Sequence, residues 1–287
     1  MHRPQCQGWG ILLAAICVLL LMAIGVIHHR ESLEGPGVGL FWTDVALLVG
    51  YGSAGAIIGM QWASRAITAI TIGAQIGLLV GTVGIANHLI EAFVSNRPFV
   101  FIICPVLITF SLLGTAGAMA WERTGSMVLA IISGFYCAVV AALVTLAFAS
   151  SFNLLFAERT DRQLLNAFVA SGMLDPAAFR VRNILESSSE ILVRMPVLGF
   201  CLALTGAAIQ FWMNSGSRRT RVLAARFLAP VFFSVGVAAL YYANAIERGS
   251  RPPFVLSGAL LVGVSLCAVY PIWSAFHPIT DRSEPFC

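Results

Sequence analysis

Long apolar stretches alternate along this chain with short polar segments. Eight stretches of 20 residues or more contain no Asp, Glu, Lys or Arg: 4–29, 45–64, 66–90, 98–121, 124–157, 195–217, 227–246 and 252–280. An α-helix needs about 20 apolar residues to cross the roughly 30 Å hydrocarbon core of a bilayer. The pattern therefore predicts an all-α fold, a polytopic transmembrane helix bundle with about eight spans.

Charged residues and prolines bound the predicted spans. The spans cover about 9–27, 40–60, 67–89, 99–120, 126–150, 192–213, 224–245 and 254–275. They divide the chain into two predicted membrane halves, 1–124 with spans 1–4 and 125–287 with spans 5–8. The similar order of residue types in 80–100 and 235–255 has two interpretations, a parallel four-span duplication or a chance likeness of helix ends.

The connection between spans 5 and 6 has a pattern of its own. Residues 162–174 place four apolar side chains on one side of a helix: Leu164, Leu165, Phe168 and Val169. Gly172 predicts the end of that helix, and Asp175 followed by Pro176 predicts the start of another that runs into span 6. Four charged residues at four-residue spacing would share one face of it: Arg182, Glu186, Glu190 and Arg194. We expect an interfacial helical elbow, acting either as a gate or as a plain surface connector.

Composition supports a membrane protein and excludes several classes. The chain is 59% hydrophobic and 10% charged, with a mean hydropathy of +0.88, whereas soluble domains are about 25% charged. The net charge of +4 comes from loop arginines without interleaved aromatic residues, so no nucleic-acid partner is expected. The lipid bilayer is the expected partner, and a homo-oligomer or a membrane partner protein stays open.

The chain lacks the residue patterns of catalysis and of metal or cofactor binding. All 17 basic residues are arginine, and the absence of lysine excludes a Schiff base to retinal or pyridoxal phosphate. The seven cysteines are scattered singly, without a CxxC or zinc-type spacing. No HExxH, G-x-S-x-G or P-loop motif occurs. We therefore predict no catalytic residue, no metal and no cofactor, and we do not expect an enzyme.

Glycines at four-residue spacing predict close helix packing. They lie in spans 2 and 3: Gly55, Gly59, Gly73, Gly77 and Gly81. Stacked small residues let a neighbouring helix approach closely, either in the same chain or in a second protomer. Because the Ser64–Arg65 turn makes spans 2 and 3 antiparallel neighbours, we expect them to touch near Gly55 and Gly77.

A few polar residues lie within or at the ends of spans and form a candidate polar path. They are Gln75, Asn87, His88, Glu91, Asn244 and Glu247. A histidine and a glutamate near one mouth could relay protons or bind a cation, whereas the alternative is a hydrated helix end. Asp44 is interpreted as opening span 2, where a carboxylate complements the helix N-terminus.

These features favour a small transporter or permease-like protein, and the alternative is a non-catalytic membrane subunit or scaffold that docks a partner. The expected location is a cell membrane of the bacterial cytoplasmic type. The arginines at 218–221 have no acidic neighbour, which favours cytoplasmic termini.

Overall fold

The structure, a computed structural model, describes residues 3–61, 64–94 and 99–214 of the chain, and every regular element in them is helical. The α-helices are α1 (Arg3–His28), α2 (Gly37–Gln61), α3 (Ser64–Phe93), α4 (Phe99–Thr124), α5 (Met127–Leu155), α6 (Ala157–Ser171) and α7 (Pro176–Asn214). A short 3₁₀ turn, Arg30–Leu33, joins α1 to α2. Six of these helices, all except α6, are long and apolar enough to cross a membrane.

These six helices correspond in order to the first six predicted spans. The prediction of a multi-pass helical membrane protein is thereby confirmed for the described residues. The last two predicted spans, 224–245 and 254–275, lie outside the described residues, and so do Asn244 and Glu247. The total of eight spans, the duplication and the two-halves division stay predictions.

Local capping chemistry sets the boundaries around α6 and α7. Gly172 ends α6 in the left-handed conformation, with φ of +70°, where a side chain would be strained. Asp175 Oδ1 accepts a hydrogen bond of 2.8 Å from the Ala177 amide, and Pro176 is the first residue of α7. The predicted helix over 176–190 is confirmed. It is the first half of α7, which continues through Pro196 to Asn214 and is about 58 Å long.

Helices α5 and α7 lie at the centre of the bundle, where more than half of each membrane-spanning segment is buried. One apolar core lies between α1, α2, α5 and α7, and its fully buried members include Val18, Leu143 and Leu185. A second core lies between α3, α4, α5 and α7 and is built mainly of alanine with Leu113. The first half of α7 packs on the bundle through Val181 and Leu185, and its predicted position at the membrane surface stays a prediction.

The glycine row of α3 lies against α5. A Cβ atom at Gly77 would lie 2.6 Å from the carbonyl oxygen of Cys137, and one at Gly73 would collide with the Ser133 carbonyl. Gly81 faces Val144 of α5 in the same way. The close approach requires glycine because these neighbours are partly backbone atoms, which cannot move aside.

The expected pairing of spans 2 and 3 near Gly55 and Gly77 is not the observed one. Among the described residues, α2 packs mainly on α1 and α7, while α3 packs mainly on α5 and α4. Gly55 is buried, and Gly52, one turn earlier, faces Leu12 of α1. The surroundings of Gly59 lie outside the described part. Although α2 and α3 follow each other in the chain, α3 packs mainly on α5, because the small residues of α5 allow a closer approach.

Candidate functional site

The most unusual polar group of the described bundle is Asp44, which is completely buried. The sequence pattern predicted it at the opening of span 2, but α2 begins at Gly37 and Asp44 is its eighth residue. It therefore lies about 10 Å along the helix from that start, too far to complement the free amides of the first turn. The interpretation as an N-terminal charge was wrong because apolar residues before it, Val38 to Trp42, already belong to the helix.

Two consecutive serines of α7 hold the Asp44 carboxyl group. Ser189 Oγ donates a 2.6 Å hydrogen bond to Asp44 Oδ1, and Ser188 Oγ contacts Oδ2. Ser188 is also fully buried, and its Oγ lies 2.9 Å from the Leu185 carbonyl oxygen one turn earlier in α7. Successive residues of a helix point about 100° apart, so the two hydroxyls can reach different oxygens of one carboxyl. The pair ties α2 to α7 through side chains 144 and 145 positions apart.

A second bond joins α2 to α7 two helical turns after Asp44. Tyr51 donates its hydroxyl proton to the Leu192 carbonyl oxygen at 2.6 Å, and its ring meets Phe135 of α5 edge to face. Leu192 can accept this bond because the residue four positions later is Pro196, which has no backbone N–H to donate. The tyrosine hydroxyl therefore occupies the place that an amide of α7 would have filled. We call these groups, Asp44, Tyr51, Ser188, Ser189 and the Leu192 carbonyl, the α2–α7 seam.

The members of the predicted polar path that lie in the described part of the chain are not brought together in one cavity. Gln75 is exposed on the outer side of the described bundle, and it lies thirteen residues, about 20 Å, from His88 on the same helix. Asn87 is half-buried, and Glu91 is exposed near the end of α3. The other two members of the predicted path, 244 and 247, are outside the described residues.

His88 lies in an aromatic pocket. Its ring meets those of Phe148 and Phe152 of α5 edge to face, with centroids 6.1 and 5.3 Å away. Its Nε2 is buried without a hydrogen-bond partner among the described residues. Glu91 follows one turn later, on the exposed side of the helix end. The arrangement is that of a packed histidine near a helix end.

Helix α6 is docked on the C-terminal end of α3. Arg159 Nε donates to the Ala92 carbonyl at 2.8 Å, and its guanidinium group lies 4.2 Å from the centre of the Phe93 ring. Gln163 Nε2 donates to the Glu91 and Ala92 carbonyls at 3.1 Å. The last carbonyls of a helix lack partners within it, so these side chains cap α3 from outside. On its other side, α6 is tied to α7 by the ion pair of Asp161 with Arg180 at 2.5 Å.

We expect the double substitution Arg159→Ala with Gln163→Ala to release α6 from α3. Hydrogen–deuterium exchange should then rise in α6 and in residues 88–93, because the capping bonds that restrain both helix ends are lost. Arg162→Ala is the matched control, since the side chain is exposed and its Nε bonds the Glu158 carbonyl of its own helix. Equal exchange in the double variant and the control would contradict the docking.

No protein-family model, curated protein or solved structure matches this chain. The fold and its composition define the class, a multi-pass α-helical membrane protein. Within the described bundle, the α2–α7 seam stands out because it holds a completely buried carboxyl group that is hydrogen-bonded between two helices. The sequence carried one signal for it, the three serines between Glu186 and Glu190, which sit in a helix continuous with a span.

Proposed function

We propose that this chain is a small transporter or permease-like protein whose working parts are α2 and α7. The observation that supports this is Asp44, a carboxyl group fully buried between membrane helices and held by hydroxyl groups. Ionisable side chains inside a membrane bundle cost several kcal/mol and commonly mark substrate or ion pathways. An asparagine would join two helices at a lower cost, so a carboxyl group at this place suggests a task that needs its charge or its proton.

The shape of α7 gives the proposal a means of movement. Pro196 interrupts the backbone ladder of α7 about two turns after the serine pair, and such positions are where long helices bend. The part of α7 before Pro196 carries the seam, and the part after it packs tightly on α4 and α5 through small residues. We propose that the first part moves against α2 while the second part stays fixed.

The test is charge movement in reconstituted protein. Full-length protein in liposomes on a solid-supported membrane is exposed in turn to amino acids, sugars, carboxylates, nucleosides and metal cations. A transporter gives a transient current for at least one class, and Asp44→Asn, which keeps the shape of the side chain, abolishes or strongly reduces it. Glu190→Gln, on an exposed carboxylate of the same helix, leaves the current unchanged. No current with any class from correctly folded protein would count against transport.

A scaffold or non-catalytic subunit is the second candidate. It is favoured by large apolar side chains around α6 that the described part leaves exposed, namely Leu155, Leu165, Val169 and Leu174. A scaffold predicts that Leu165→Ser with Val169→Ser releases a membrane partner that co-purifies with the wild-type chain, without any effect of Asp44→Asn. A transporter predicts the opposite pattern.

The location and orientation also belong to this proposal. Alternating spans put the N-terminus and the α4–α5 turn at one end of the bundle, and α6 at the other. With cytoplasmic termini, α6 faces the outside of the cytoplasmic membrane. A cysteine placed at Arg162, in a variant without native cysteines, should then react with a membrane-impermeant maleimide added to intact cells.

A further inference from the structure

The seam contains more oxygen-to-oxygen contacts than its hydroxyl protons can fill. Three contacts are present: Ser188 with Leu185, Ser188 with Asp44, and Ser189 with Asp44. Each serine hydroxyl carries one proton, and the Leu185 carbonyl and an ionised carboxylate carry none. With Asp44 ionised, two protons serve three contacts, and Ser188 must leave either the carboxylate or the Leu185 carbonyl.

One added proton completes this network. A protonated Asp44 donates from Oδ2 to Ser188 Oγ, Ser188 donates to the Leu185 carbonyl, and Ser189 donates to Asp44 Oδ1. Each of the three contacts then contains one proton, and the carboxyl group is neutral. The distances therefore suit a hydrogen-bonded acid at least as well as a carboxylate.

The same distances do not suit a metal ion. Ligand oxygens around Mg²⁺ lie 2.0–2.1 Å from the ion and therefore about 2.9 Å from each other in an octahedron, and those around Ca²⁺ lie further apart. Ser189 Oγ and Asp44 Oδ1 are 2.6 Å apart, which is a hydrogen-bond distance with no room for shared coordination. Among the described residues, no group of three or more His, Cys, Asp or Glu could hold a metal ion.

Charged side chains do not neutralise Asp44 in the described part of the chain. The elements packed on α2 are α1, the 3₁₀ turn, α7 and, through Phe135, α5. The acidic, basic and histidine side chains nearest along the chain to the seam and to the start of α2 are His28, His29, Arg30, Glu31, Glu34, Glu186, Glu190 and Arg194. In this region Arg194 pairs with Glu190, His29 Nδ1 lies 3.4 Å from Asp175 Oδ2, and the contacts of Asp44 are to serine hydroxyls.

We propose that Asp44, Ser188 and Ser189 form a proton-binding site whose occupancy controls the contact between α2 and α7. Its role in coupling rests on the transport function proposed above, but the site itself can be tested without transport. When the proton leaves, the network loses one of its three bonds and Asp44 becomes a buried charge, and the cost of burying that charge disfavours the closed contact between α2 and the first part of α7. Protonation restores the closed seam.

Infrared difference spectroscopy of the full-length protein in nanodiscs tests the site. Raising the pH should remove a carboxylic-acid C=O band and add carboxylate bands, and Asp44→Asn should abolish this pair of changes. Glu190→Gln should keep them. Ser189→Ala should shift the acid band to higher wavenumber because Asp44 Oδ1 loses its donor, and this variant serves if Asp44→Asn fails to fold. Replacing Na⁺ by choline at constant pH should leave the band unchanged.

Three results would overturn the proposal. They are an acid band unaffected by both the Asp44 and the Ser189 substitutions, carboxylate bands of Asp44 at every pH, and loss of the acid band on adding Na⁺ at constant pH. The outcome is separate from that of the transport assay. Titration of Asp44 without solute-driven current keeps the proton site and rejects transport, while current without titration keeps transport and rejects the proton site.

Discussion

Replacing Gly206 by leucine should destabilise the bundle strongly. A Cβ atom at this position would collide with the Gly114 carbonyl of α4, and its next neighbours are also backbone atoms of Gly114. Backbone cannot rotate away as a flexible side chain can, so α4 and α7 must separate. Overpacking in cores typically costs about 1–3 kcal/mol, and we expect the upper end of that range or more. The measurement is the melting temperature and the yield of monodisperse protein in detergent.

Gly50→Leu provides the matched control for that experiment. Gly50 also lies inside a membrane-spanning helix, α2, but a Cβ atom there would meet nothing within 4 Å. The same change of residue should therefore leave the melting temperature nearly unchanged. Similar losses in both variants would show that the cost belongs to leucine itself, and an unaffected Gly206 variant would contradict the observed closeness of α4 and α7.

Gly206 lies where α4, α5 and α7 come together. The spacing of glycines in the sequence did not predict that these three helices meet. Gly117 of α4 and Gly134 of α5 both face Ala203 of α7, and Gly134 also faces Gly199. The glycine row of α3 could be recognised in the sequence because its members repeat at four-residue spacing. Spacing shows which residues share a face of a helix, but it does not show which other helix meets that face. The wrong pairing of Gly77 with span 2 has this cause.

Features that depend on near neighbours in the chain could be predicted from the sequence. The end of α6 at Gly172 and the start of α7 at Asp175–Pro176 were predicted and are present. These signals work because a cap involves groups within about four residues of each other. The six described spans were predictable for a similar reason, since each depends only on an uninterrupted apolar run.

The candidate site could not be predicted because it joins distant parts of the chain. Asp44 and Ser188 are separated by 144 positions, and the run of three serines at 187–189 does not show which helix it contacts. The charged residues Glu186 and Glu190 drew attention to one face of α7, whereas Ser188 and Ser189 between them contact α2. A carboxyl group near the predicted end of a span looks like an ordinary boundary charge until the partner helix is known.

Removing the hydroxyl group of Tyr51 should destabilise the bundle, and the size of this loss should depend on the proline at position 196. In Tyr51→Phe the Leu192 carbonyl loses its donor, and the residue four positions later is proline, which cannot supply one. An unpaired buried carbonyl costs about 1–3 kcal/mol, and interhelical bonds in membrane bundles average about 0.6 kcal/mol. We therefore expect Tyr51→Phe to lower the free energy of unfolding by about 1–2 kcal/mol, above the average interhelical bond and below the full cost of an unpaired carbonyl. Reversible unfolding in mixed micelles measures this change.

The double variant Tyr51→Phe with Pro196→Ala tests whether the missing amide of Pro196 is the reason that the Leu192 carbonyl bonds to Tyr51. Alanine at 196 restores a backbone N–H that can bond the Leu192 carbonyl inside α7, so the loss caused by Tyr51→Phe should become smaller in that background. Four proteins complete the cycle, the wild type, each single variant and the double variant. If the two effects simply add, the proline does not free the carbonyl for the tyrosine. If instead Tyr51→Phe has a smaller effect or none in the alanine background, the Leu192 carbonyl accepts from Tyr51 of α2 because Pro196 of α7 has no amide to offer.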